Sequence, residues 1–333
     1  QCPSAWKWRG RAVKLVDGTT VTMPDTEANQ QGYPQQARQQ TGLGFPIARV
    51  VGVICLSSGA VVNAAMGPYQ GALGSEHALL RQLLESFCAG DVVLADRLYG
   101  SYFLIAALLV RGVDIVVPQH AMRKTDFRKG RRLAARDHVV HWQKPAQKPH
   151  WMSAADYAAA PATLALREVN VGRNTLVTTL LCDRVTPKQA LKDLYRQRWH
   201  IELDLRCIKT VLGMERLSCT TPAMSEKELW VYLLVYNLIR LVMAQSALYA
   251  HKLPREHALQ LWSMWSRQQF LSTASENITV LLTLIAQNTV GKRPGRIEPR
   301  CIKRRASSFP LLMKPRGEAQ QEIKKHGHPK KLK

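Results

Sequence analysis

The sequence contains no uninterrupted apolar run that reads as long enough to cross a bilayer. Its most apolar stretch, residues 229–244 ("LWVYLLVYNLIRLVMA"), falls short of the ~20 residues a spanning helix needs and carries Asn237 and Arg240. It reads as a buried helix, and no membrane partner is expected. Paired cysteines are lacking too. The seven cysteines, at positions 2, 55, 88, 182, 207, 219 and 301, are odd in number and form no C-x-x-C pair, which argues against a disulfide framework and a structural zinc site. A reducing cytoplasm fits that usage. The opening "QCPSAWKWRG" has neither an initiator Met nor a charged-then-apolar leader, so further residues are expected upstream. Acids are scarce: 24 Asp and Glu stand against 47 Lys and Arg, a formal charge of +23. The usual partner of such a surface is a polyphosphate backbone, which makes nucleic acid the leading partner class.

What is present is a globular composition, with 333 residues and 46% hydrophobic side chains, enough for one large domain with insertions or for two domains. Residues 11–23, "RAVKLVDGTTVTM", read as a strand, a Gly-containing bend at Asp17 and a second extended piece. Residues 26–46 are rich in Gln, Gly and Pro and read as a surface loop; their "GLG" lacks the further glycine and helix of a phosphate cradle. Residues 48–67 join two apolar runs at Ser-Ser-Gly-Ala and predict a β-hairpin. Residues 74–90 predict a helix capped by Ser75, with Leu79, Leu80, Leu83, Leu84 and Phe87 at helical spacing and Gly90 as its stop. A buried strand ending at Asp96, an apolar helix over 101–112 and the strand "VDIVVPQ" follow. Strands and helices in this order make an α/β layer architecture, a mixed sheet flanked by helices.

The pattern breaks over residues 121–151, where nine Lys or Arg meet two Asp; the stretch reads as an inserted or poorly ordered basic segment. Extended pieces resume at "LALREVNVG" and "TLVTTLLCD". Thr186 and Pro187 then open a long helical pattern, and residues 226–290 are mostly helical by periodicity. Residues 292–333, with fourteen Lys or Arg, three Glu and five Pro, read as an extended, partly disordered arm.

The stretch "LYRQRWHIELDLRCIKT", residues 194–210, poses the functional question. At about 100° per residue, Tyr195, Arg198, Glu202 and Lys209 fall within about a 60° arc, while Asp204 lies on the far side. Leu194, Ile201, Leu205, Ile208 and Leu212 form an adjoining core stripe. Ordinary i,i+4 pairs among Arg198, Glu202 and Arg206 would explain the charges at a few tenths of a kcal/mol each. Three carboxylates on adjoining elements of one sheet, Asp17, Asp96 and Glu202, would instead repel unless cations neutralise them. Hard oxygens without His or Cys neighbours suit magnesium or manganese, and two such ions about 3.5–4 Å apart can drive an in-line phosphodiester displacement.

Tyr195, two residues, Arg198, three residues, Glu202, six residues and Lys209 resemble the Y-R-E-K signature of the insertion sequence 4 family of DDE transposases. "VDGTTVTMPDT" resembles the family's first acidic motif, carrying Asp17, and "LADRLYGSYF" its second, carrying Asp96 with Arg97. "RPGRIEPRCIKRRASSFPLLMKPR" is similar to the family's C-terminal segment, so the resemblance runs from about residue 11 to residue 316. It implies a ribonuclease H-like fold in which Asp17, Asp96 and Glu202 are catalytic and hold two Mg2+ or Mn2+ ions. The implied activity is strand cleavage at transposon ends and strand transfer into target DNA. Tyr195, Arg198, Lys209 and Arg97 would contact DNA phosphates, and a homodimer bridging two ends is expected, in a bacterial cytoplasm and at the nucleoid when on DNA.

The expected organisation is the first part of the catalytic core at 11–120, a basic, β-rich insertion at 121–173, and the end of the core with the Glu-bearing helix at 174–215. A C-terminal helical region at 216–290 and a basic tail at 291–333 complete it, with the family's N-terminal end-binding region apparently absent. Some relatives use a Trp in the insertion to hold a flipped base; Trp142 and Trp151 are candidates, though a core Trp is the commoner reading. His138 and His141 in "HVVH" point more to phosphate or solvent than to metal. Ser75, Glu76 and His77 suggest a helix cap rather than a nucleophile. Two other functions fit the composition: a DNA-binding remnant without catalysis, and a ribonuclease H-like nuclease that only hydrolyses.

Overall fold

The computed structural model describes residues 3–250, 282–287 and 313–327. Among the described residues, nine strands form one sheet in the order β3-β2-β1-β4-β5-β9-β8-β7-β6. Strand β1 (Val13–Thr22) runs unbroken through Asp17 and Gly18, so the bend expected there does not occur. Its antiparallel ladder with β2 (Ile47–Cys55) is continuous, with Asp17 opposite Gly52 and Gly18 opposite Val51. A full set of cross-strand bonds, flanked by β-branched Thr19, Thr20 and Val21, outweighs the turn preference of one glycine. The predicted hairpin to β3 (Val61–Pro68) forms.

Strand β4 (Val92–Leu94) lies parallel to β1 but pairs only as far as Leu15, opposite Leu94. Beyond that point this edge of β1 is open until Thr22, which bridges Arg216. Strand β5 (Asp114–Pro118) continues the parallel part, and β9 (Thr175–Thr178) begins the antiparallel return.

Alternation along β1 sends side chains into two cores. Leu15 and Val21 pack with Ile201, Leu205, Ile208, Leu229 and Tyr236 on one face, while Val16 packs with Leu79, Leu80, Phe103 and Ile105 on the other. Helices α2 (Glu76–Gln82) and α3 (Tyr102–Val110) cover this second face. The Ser75 hydroxyl caps α2 by accepting from the Ala78 amide; that helix stops at Gln82, short of the expected Gly90. A short helix α1 (Glu27–Gly32), capped by Thr26, sits inside the stretch expected to be only loop.

The basic segment is ordered. Strands β6 (Arg131–Ala134), β7 (Asp137–Gln143) and β8 (Thr163–Asn170) extend the same sheet, with a small helix α4 (Ala154–Ala159) between β7 and β8. The fully buried Arg167 explains why charge does not unfold it: its guanidinium donates to both Asp137 oxygens at 2.7 and 2.6 Å and to the Thr186 carbonyl at 2.7 Å. A bidentate, fully satisfied pair compensates its own burial.

The long helical pattern after Pro187 divides into α5 (Lys188–Arg196), α6 (Trp199–Arg206) and a wider π turn, Cys207–Val211. At the junction the amides of Gln197 and Arg198 bond three residues back, to Leu194 and Tyr195, a locally tightened turn. Helix α7 (Pro222–Tyr249) corrects the expectation of a buried helix. Leu229, Leu233, Tyr236 and Met243 are buried, whereas Trp230, Val231, Leu234, Leu238 and Leu241 are exposed. The two polar residues that interrupt its apolar run clamp the β2–β3 hairpin. Asn237 exchanges two 2.8 Å hydrogen bonds with the Val61 backbone, and Arg240 donates to the Ser58 carbonyl. Gly59, at φ +71, leaves the room this requires, since a Cβ there would meet the Arg240 guanidinium. A helix Arg316–His326 occupies part of the stretch expected to be an extended tail; the rest of that tail and of the helical region lies outside the described residues.

Candidate active site

Asp17 is linked to Glu202 through Arg198 and lies within electrostatic reach of Asp96, beside the unpaired stretch of β1. Asp17 projects from mid-strand on the α6 side, its Oδ1 accepting from the Gly18 amide at 2.8 Å. Asp96 follows β4 and caps the turn Arg97–Tyr99, accepting from the Leu98 amide at 2.7 Å. Glu202 comes from α6. Arg198 ties two of them together, one nitrogen donating to Asp17 Oδ2 at 3.4 Å and another to Glu202 Oε1 at 2.6 Å. The i,i+4 pair anticipated from sequence is thus real, but it also reaches across to the sheet. Tyr195 donates to the carbonyl of Ala95, beside Asp96, at 3.4 Å. Lys209 shares with Asp17, Gly18, Thr19 and Glu202 a cleft of about 340 Å³. The far-side Asp204 is buried beside Tyr236 of α7.

Burial pushes the Asp17 carboxyl up to about 6; the Gly18 amide and Arg198 pull it back, while Asp96 and Glu76 push it further up. Burial likewise pushes Tyr195 up to about 12. Glu76 is a carboxylate that the sequence reading placed only in a helix cap. Its Oε2 accepts from the buried Tyr99 hydroxyl at 3.0 Å, and its carboxyl lies where a Cβ on Gly18 would be, 2.7 Å from that position. Glu215, on the rim of the Lys209 cleft, was missed as well.

Among the described residues, no three carboxylate, His or Cys groups stand close enough to hold a metal ion as they are. The donor set nevertheless suits a hard cation: oxygen ligands only, with the Arg198 guanidinium already bridging two of them as positive charge. Arg198 would have to loosen one contact for both carboxylates to turn to an ion.

The family model described as Transposase DDE domain matches residues 8–238, a span that contains all three acids. The chain belongs to the DDE transposases. It is 28% identical over 317 residues to the transposase InsG for insertion sequence element IS4 of Escherichia coli (strain K12), covering 92% of this chain and 66% of that relative. The nine-stranded mixed sheet with helices on both faces is accordingly the transposase's ribonuclease H-like fold.

The remaining predicted residues of this transposase are placed as follows. Arg97 lies outside the Lys209 cleft and lines a second one with Arg123, Lys124 and Arg173. Trp142 is a core residue, 5% exposed, its indole nitrogen donating to Glu168 at 3.0 Å, so its ring is not available to a flipped base. Trp151 is 40% exposed, beneath the Arg81 guanidinium and edge-on to Phe103. His138, expected at phosphate or solvent, is buried between Glu168 and the Lys129 carbonyl; His141 is exposed.

Proposed function

We propose that this chain is the catalytic region of a DNA transposase that cleaves a strand at a transposon end and transfers it into target DNA. The observation that carries this reading is that Arg198 bridges Asp17 and Glu202 beside the stretch of β1 that β4 leaves unpaired, with Asp96 near enough to act on the Asp17 carboxyl. Asp17, Asp96 and Glu202 would hold two divalent ions, Mg2+ or Mn2+. Bound ions of this kind supply Lewis-acid activation of an attacking water or hydroxyl and neutralise the leaving oxygen.

The protein's own side chains do the rest. Tyr195, Lys209 and Arg97 surround the acids with phosphate-binding groups, and Arg198 neutralises Asp17 and Glu202 while the site holds no substrate charge. Trp151 keeps the role of base contact open on the exposed side of α3. By likeness to its relative, the chain would work on an insertion sequence element; the family resemblance implies the element's ends as substrate, a homodimer bridging two of them, and a cytoplasmic location at the nucleoid. Residues 11–120 and 174–215 form the catalytic core in this reading, with 121–173 as the insertion, 216–290 as a helical region and 291–333 as a basic tail.

The test is Glu202→Gln in a preparation proven active. Magnesium-dependent strand cleavage is expected to be abolished with DNA binding retained; cleavage left intact overturns the assignment. Joined product from a pre-cleaved end separates a transposase from a nuclease that only hydrolyses.

A further inference from the structure

A second opening, of about 420 Å³, is lined by Arg97, His120, Arg123, Lys124, Arg173 and Asn174 among others. None of its lining side chains is acidic. Arg97 is the residue after Asp96, so the opening begins where the acidic site ends.

Beneath it is a buried polar network that the catalytic reading does not use. Glu168, 5% exposed, accepts from Trp142 Nε1 at 3.0 Å and from Gln119 Nε2 at 3.3 Å, and faces His138 Nε2 at 3.2 Å. His138 Nδ1 donates to the Lys129 carbonyl at 2.6 Å, and Phe127 packs against the His138 ring at 4.9 Å. Gln119 also donates to Thr125 at 2.9 Å, and the Arg123 guanidinium stacks 3.7 Å from the Trp142 ring centre. The contacts at Gln119, Arg123, Phe127 and Lys129 pin the loop between β5 and β6 to the sheet. Burying a carboxylate and an imidazole is costly unless every partner is satisfied, and here their partners include the loop that carries Arg123 and Lys124.

We infer that this cleft binds the phosphate backbone of the DNA strand leading away from Asp96, and that the Glu168–His138–Trp142 network is the rigid floor holding its cations in place. The inference rests on the proposed function for the strand's starting point. Arginines in a preset fork bind phosphate with less ordering cost than free side chains do, which is the physical return on a buried network under a basic loop.

The test is DNA binding by the full chain over a salt series, with a random-sequence duplex carrying a single-stranded overhang as probe. Each lost phosphate contact lowers the slope of log affinity against log salt by about 0.7 for a single strand and about 0.9 for duplex. The triple variant R123A/K124A/R173A is expected to lose about 2–3 from that slope, and R123K/R173K to keep the wild-type slope because charge is preserved. Should the triple variant unfold, K124A/R173A, both at exposed positions, is expected to lose about 1.4–1.8. A slope within about 0.5 of wild type for the folded alanine variant overturns the cleft assignment. Because binding is read without cleavage, that result leaves the Glu202→Gln test untouched. A lowered slope beside intact cleavage in Glu202→Gln would keep the cleft and sink the catalytic reading.

Discussion

Asp17 holds its proton up to about pH 6 because it is removed from water and has Asp96 and Glu76 near it. An unfolded aspartate releases its proton near 3.8, so between those values the folded chain binds the proton more tightly than the unfolded one. Asp17's contribution to stability is therefore fully present below about pH 4 and is lost as pH rises through about 6, up to about 3 kcal/mol in all. Urea unfolding of the metal-free protein is expected to show this decline, and Asp17→Asn to flatten it; an unchanged slope in that variant would place the titration elsewhere. Asp17, Asp96 and Glu202 could be singled out in the sequence because they sit inside motifs that resemble a family's. Glu76 was not, since its approach to Asp17 depends on Gly18 having no side chain and on a hydroxyl from Tyr99, both brought together only by the fold. Trp142 was legible only as a tryptophan; whether its ring faces solvent or Glu168 depends on strand register.

At the scale of elements, α7 and the β2–β3 hairpin are joined by side chain to backbone hydrogen bonds across 176 residues. Replacing Asn237 by Leu keeps the helix's apolar character but leaves the amide and carbonyl of Val61 without those partners. About 2–3 kcal/mol of stability should be lost in chemical denaturation, more than an isosteric apolar swap in the core would cost. The periodicity that predicted the Tyr195–Lys209 stripe held although the helix did not run straight, because the tightened turn at Gln197–Arg198 keeps helical dihedrals. Strands β6 and β7 escaped the reading of the residues, though the family resemblance implied a β-rich insertion and β8 was read as extended, for the opposite reason. Arg131 and Arg132 obscure the alternation of β6, and the Arg167–Asp137 pair that orders the region joins residues on different strands.

For the whole molecule, an ion that binds only the folded state stabilises it in proportion to occupancy, by about 2.7 kcal/mol at a hundredfold excess over its dissociation constant. Magnesium or manganese should raise the melting temperature of the wild-type chain at pH 7.5, and the double variant D17N/E202Q should not respond. An equal response in both would mean that the ion acts elsewhere. The net charge of +23 makes association with DNA fast and sensitive to salt whatever the sequence. It has a second effect at the border of the sheet. Among the described residues β6 closes the row of strands, and its outer backbone groups could template the same strand of another copy. Two such strands side by side would set arginine against arginine at about 5 Å, a repulsion that edge strands use to stop chain-to-chain growth. Arg131 and Arg132 would then be guards against polymerisation, and neutralising them would turn a dispersed protein into one prone to add strand upon strand.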